Sequence, residues 1–182
     1  MKRRKILAAG LTLGAVAAAG SLGYAKWMQE TRLGLLSLPR LIVKLESLEN
    51  REITSNSLWS PGQIFAHCAQ SVNYSMTGFP VHKSESFKST LGTVAFAAFS
   101  LAGKMKHDLA ETIPGAPAFD ASIDTATAIR QLIASLQTFE AFGGQLAPHF
   151  AFGELTKADY ALAHAMHIDN HFDELTIIDA RG

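Results

Sequence analysis

A single cysteine, Cys68, stands in a chain of 182 residues, which excludes an intramolecular disulfide and any cysteine-rich zinc site. A bound metal would therefore have to be held by histidine together with aspartate or glutamate. Charge of one sign is not in excess either: Lys+Arg and Asp+Glu number 16 each, so the basic field that nucleic acid requires is missing, apart from the cluster Lys2–Lys5. There is no sustained apolar–polar alternation and no hairpin dipeptide joining such runs, which argues against a sheet protein. Internal repeats are absent, as are a nucleophile-elbow serine, a phosphate-binding glycine loop and a dinucleotide fingerprint. What remains is 48% hydrophobic and 18% charged residues. That composition can build a core, and the length is one domain with appendages.

The first 25 residues read as an appendage and residues 26–182 as the folded domain. Met1-Lys-Arg-Arg-Lys5 is a positive leader, and Ile6–Ala25 is uncharged and rich in Ala, Gly and Leu. Such a stretch is a signal peptide or a single membrane span, which needs about 20 apolar residues. Arg3-Arg4 followed by Lys5-Ile6-Leu7 is similar to a twin-arginine export signal, with Lys2 standing where a Ser or Thr is usual. The expected location is the periplasm, or the inner membrane facing it, with membrane contact through residues 6–25 if they are retained.

The domain reads as all-α. Leu35, Leu38, Ile42, Leu45 and Leu48 recur at helical spacing in a first helix that starts or kinks at Pro39. Trp59–Met76 is the best-delimited helix, with Ser60 as N-cap, Pro61 at the first helical position and Gln63 completing a capping box, and Gly78-Phe79-Pro80 ending it. Between Val81 and Lys106 a polar loop leads into a short extra helix whose buried side is expected to be Leu91, Val94, Ala95, Ala98, Phe99 and Leu101. Residues 108–123 form a loop around Pro114-Gly115-Ala116-Pro117. Asp124–Phe142 is a helix with Ile129, Leu132, Ile133, Leu136 and Phe139 on its core side. After the loop of residues 145–155, the last helix begins at its cap Thr156 and is expected to run to about Ile178. Four principal helices with such stripes bury them in a four-helix bundle, and bundle metal sites are built from side chains on facing helices.

Three of the seven histidines, His164, His167 and His171, lie on that last helix. His167 and His171 fall roughly 40° apart around it and about 6 Å apart along it, the i, i+4 geometry in which two imidazoles grip one ion. His164 with His167, at i, i+3, is the rival pair. All three border the core stripe rather than occupying its centre. His67, on the second helix, shares a polar face with Gln63, Gln70 and Tyr74, where a histidine is by default a solvated one. His82 and His107, among lysines and an aspartate, read as surface residues, and Cys68 as a buried, inert thiol.

The segments Trp59-Ser-Pro-Gly-Gln-Ile-Phe-Ala-His67-Cys-Ala-Gln70 and Pro148-His-Phe-Ala-Phe-Gly-Glu-Leu-Thr156, the latter followed by His167-Ile-Asp-Asn-His171-Phe, carry a family resemblance. Over residues 30–176 the chain resembles the DinB/YfiT-like superfamily of four-helix-bundle metalloproteins, and within it a bacterial family of unknown function. The resemblance implies that His67, His167 and His171 hold one divalent ion, with water in the open positions and His164 as an alternate ligand or a support. Relatives often carry a histidine where this chain has Asn170. Three neutral imidazoles suit zinc, nickel, iron or manganese. Gln63, Gln70, Tyr74, Asp169 and Glu174 are candidates to hold the outer ring nitrogens.

The function implied is a metal-dependent enzyme of the thiol-transferase or hydrolase kind, using a small-molecule thiol or other small ligand, with no catalytic residue assignable from the sequence. His149 and the 108–123 loop are placed at the pocket. The resemblance also implies a homodimer. The alternative is a non-catalytic, exported or membrane-anchored bundle that binds a ligand or partner.

Overall fold

The computed structural model describes Gly34 and residues 36–178; the expected export signal and the expected beginning of the first helix lie outside the described residues. From Leu36 onward the chain forms one compact unit. It is an all-α protein with one small two-stranded sheet. Among the described residues no helix is long and apolar enough to cross a membrane.

Helix α1 (Leu38–Glu46) begins where Pro39 can be tolerated, in the first turn, and so does not kink. It buries Leu38, Leu41, Ile42 and Leu45. Strand β1 (Glu52–Ser55) follows. Helix α2 (Pro61–Thr77) starts with the complete capping box: the Ser60 hydroxyl accepts from the Gln63 amide, and the Gln63 side chain accepts from the Ser60 amide. Gly78, at φ 100°, ends it.

A short turn of helix, α3 (Glu85–Phe87), continues through a π-helical segment (Lys88–Gly92) into α4 (Thr93–Ala102). Helices α5 (Thr125–Ala141) and α6 (Lys157–Phe172) are capped by Asp124 and by a Thr156/Asp159 box. Strand β2 (Leu175–Ile178) closes the described chain.

The core sits where α2 packs on α5 and α6, and α1 packs on the same two helices. Phe65, Val72, Ile129, Leu132, Leu136, Phe139, Tyr160 and Ile168 are at most 1% exposed there. Two of these elements correct the sequence reading. The last helix stops at Phe172 and not near Ile178; residues 175–178 instead pair antiparallel with β1, in the register Glu52↔Ile178 to Ser55↔Leu175. A four-residue strand whose partner lies over a hundred positions away has no local signature, and Leu-Thr-Ile-Ile reads equally well as a helix tail.

The second correction concerns α4. Leu91, Val94 and Leu101, expected inside, are 65%, 67% and 70% exposed. The π turn of residues 88–92 carries an extra residue and breaks the phase between Leu91 and the helix after it, while Val94 and Leu101 share a helical face that is turned away from the core. The side turned inward carries Gly92, Ala95, Phe96 and Phe99, of which Ala95 and Phe99 are as expected, while Ala98 is exposed. The two rings meet Phe152 at 5.5 and 6.4 Å. A Cβ on Gly92 would lie 2.0 Å from the Ala151 carbonyl oxygen, so only glycine lets this segment approach the 149–153 loop.

Candidate metal centre

His67 projects from the middle of α2, and His167 and His171 from consecutive turns near the end of α6. The structure brings these three together. His67 Nε2 lies 3.2 Å from His167 Nε2, and His171 Nε2 lies 3.1 Å from the same atom. One donor atom from each residue falls within 4.8 Å of the others. An ion holding two imidazole nitrogens at about 2.1 Å keeps them about 3.0 Å apart at a right angle and about 3.4 Å apart at a tetrahedral angle. The two short separations lie between these limits, so both pairs that share His167 fit a divalent ion, with the third pair within 4.8 Å.

His67 is buried rather than solvated, beside the two histidines with which the resemblance groups it. It is only 3% exposed. Of that polar face His67 alone enters the site, while Gln63 and Tyr74 are engaged elsewhere.

The surroundings favour neutral, ligating imidazoles. Burial, with neighbouring His171 and His107 adding to it, pulls His67 down to about 3. Burial and His107 pull His171 down to about 3, and burial together with the surrounding histidines takes His167 well below the usual range. His171 Nδ1–H donates to Glu174 Oε2 at 2.6 Å, which leaves its Nε2 lone pair free to face the other two rings. Glu174 is itself 6% exposed, and burial raises its pKa.

The sheet positions that carboxylate. Asn56 N donates to the Glu174 carbonyl oxygen at 2.8 Å, directly before β2 enters the ladder with β1. Trp59, just ahead of the α2 cap, packs on two of the three rings, at 5.0 Å from His67 and, nearly parallel, at 6.4 Å from His171.

The remaining candidates go elsewhere. His164 is buried, but its Nε2 meets Ser75 Oγ at 3.2 Å. The Ser75 hydroxyl proton is committed to the Val72 carbonyl, so the hydroxyl oxygen accepts and His164 Nε2 carries the proton. That nitrogen is not a metal ligand in this arrangement. Gln63 is occupied by its cap and by the Phe119 carbonyl. Asp169 pairs with Lys44 at the surface, and Tyr74 packs on Phe79. Cys68 is fully buried, and burial pushes its thiol pKa up, which keeps it inert.

One site residue escaped the sequence reading. His107, expected at the surface, lies with its ring centroid 5.0 Å from that of His167 and 5.3 Å from that of His171. Its only sequence signal is weak: past the helix end at Gly103, buried Met105 and His107 are two residues apart, as on the inward side of an extended segment. His82, the other histidine read as a surface residue, is exposed.

Beside the cluster lies a cavity of about 240 Å³. His67, His167, His107, His149 and His164 line part of it, with an apolar wall that includes Phe99, Met105, Ile113, Phe150 and Phe152. Glu111, Thr112 and Ile113 come from the 108–123 loop, as expected of it. His149 is held by two backbone amides, Ala151 and Phe152, which both donate to its Nδ1, so Nε2 bears its proton. It stacks on Phe152 at 4.3 Å. Lys83 and Lys106 add positive charge to the lining.

Neither curated proteins nor solved structures provide a match to this chain. The family model described as "Protein of unknown function (DUF1569)" matches residues 27–177, and the chain belongs to that family.

Proposed function

We propose that the chain is a divalent-metal protein of the DinB-like kind whose centre serves a small-molecule reaction, thiol-dependent transfer or a related hydrolysis, in the cell envelope. The observation that carries this reading is the convergence of His67 Nε2, His167 Nε2 and His171 Nε2 on one point. These three residues would hold the ion. When bound, it would act as a Lewis acid and favour the deprotonated form of a water or thiol.

The chain's own groups do the rest. Glu174 holds the His171 proton on Nδ1 and fixes that ring. Trp59 packs against two ligand rings and limits their rotation. The aromatic wall of the cavity accommodates the apolar body of a small substrate, and Lys83 and Lys106 suit an anionic group on it. Export is supported by the leader Met1–Lys5 and the uncharged stretch that follows it.

The test is titration of the purified full chain with Ni²⁺ or Co²⁺, followed by tryptophan emission. Trp59 stands beside two ligand rings, so these ions are expected to quench it, and Trp59→Phe is expected to remove that response. The loaded protein is then offered an electrophile with glutathione, mycothiol or bacillithiol. Conjugation with one of them supports the transferase reading. Metal binding without turnover of any thiol leaves a non-catalytic centre, and absence of metal binding contradicts the whole reading.

A further inference from the structure

His107 has so far been given no role. Its place is fixed by the loop that follows α4. Gly103 ends that helix with a left-handed φ of 59°, and the chain then crosses towards the end of α6. Lys104 Nζ reaches Asp173 Oδ2 at 3.6 Å, and the Met105 side chain is buried. The far end of the loop is tied to the first turn of α2, where Gln63 Nε2 donates to the Phe119 carbonyl oxygen at 3.2 Å. Gly62 admits this contact: a Cβ there would lie 2.2 Å from the Ile123 carbonyl oxygen.

Between these ties the His107 ring enters the histidine cluster. Its centroid lies 5.0 and 5.3 Å from those of His167 and His171, close to the 5.1, 5.1 and 4.8 Å among the three rings, although its nitrogens are not among the donor atoms that already converge. Asn170 lies beside it, yet both His107 ring nitrogens are buried without a hydrogen bond of acceptable geometry. Buried polar atoms without partners are rare in folded proteins, and a ring with both nitrogens in that state calls for a partner. An ion held at the neighbouring imidazoles would supply one for a His107 nitrogen.

We propose that His107 is a fourth imidazole ligand of the metal centre, delivered from the loop rather than from a helix. This rests on the metal reading above and extends it. The site then has two parts: three ligands on the packed helices α2 and α6, and one on a connection that can shift without disturbing them. A four-coordinate ion held by all four rings is closed, so a ligand in the cavity reaches it only by displacing His107. A six-coordinate ion keeps two further positions.

The test is X-ray absorption on the full chain loaded with Co²⁺, which counts imidazoles by their outer-shell scattering, supported by the visible spectrum of the bound ion. Four imidazoles are expected in the unmutated chain. His107→Ala is expected to retain stoichiometric Co²⁺, lose one imidazole, shift the visible bands and weaken affinity about tenfold or more. The exposed His82→Ala should change none of these. Three imidazoles in the unmutated chain would overturn the proposal while leaving the metal reading intact, and this count decides the matter even if His107→Ala fails to fold. No bound Co²⁺ in the unmutated chain would overturn both.

Discussion

Two regions contribute histidines to the same cluster, and they are built differently. The helices α2 and α6 deliver His67, His167 and His171 from positions fixed by packing, with Phe65, Val72 and Ile168 at most 1% exposed beside them. The excursion from Gly78 to Asp124 delivers His107 and much of the cavity wall, yet carries the exposed Leu91, Val94 and Leu101. Ligand geometry therefore rests on the helices, while much of the cavity wall rests on a connection with less core beneath it.

Substitutions can break this comparison at its strongest point. Leu136→Ala, in the fully buried core, is expected to cost about 2–5 kcal/mol in chemical denaturation. Leu101→Ser on the exposed side of α4 should stay within about 0.5 kcal/mol. Equal losses would mean that the excursion is as tightly packed as the helices.

Next in size is His67→Ala, which should lower metal affinity by more than about 100-fold, because it removes a ligand and not a support. Equilibrium dialysis with Ni²⁺ reads this directly. Glu174→Gln keeps the shape but weakens the acceptor for His171 Nδ1–H, and an intermediate loss of about 10- to 100-fold is expected in the same assay. Should Glu174→Gln equal His67→Ala, Glu174 would be acting as more than an anchor for one ring.

A further effect is a pH dependence, which develops only as acid is added. Burial holds both His149 and His164 at about 3. In the unfolded chain they take up protons at about pH 6.5, so between those values the unfolded state binds more protons than the folded one. Stability is therefore full above about pH 6.5 and is lost progressively as pH falls towards 3. His164→Gln, which keeps an N–H for Ser75, should lessen the slope in urea unfolding measured across that window. An unchanged slope would show that His164 is already protonated in the native protein.

Much of this was legible in the sequence, for definite reasons. Caps made by Ser60, Asp124 and Thr156 are short-range chemistry, and each helix begins where its cap stands. His167 and His171 share a helix, so their common face follows from spacing alone, and Glu174 lay within one turn of them. The all-α class followed from apolar periodicity.

What was not legible depends on contacts distant along the chain. Strand β2 acquires its conformation from β1, and a π turn breaks the phase between Leu91 and α4. His67 looked solvated because a polar helix face has the same pattern whether it meets water or a site. His107 depends on the path of a loop stitched to α6 at one end and to α2 at the other, which no local pattern encodes.

The central claim is that three imidazoles from α2 and α6 form a divalent-metal centre. Its most direct test is the metal content of the purified full chain after saturation with Zn²⁺ or Ni²⁺ and exhaustive dialysis, compared with His171→Ala. A single tightly held ion per chain is expected, and its loss in the variant. A chain that retains no ion, or a variant that retains it unchanged, would contradict the claim.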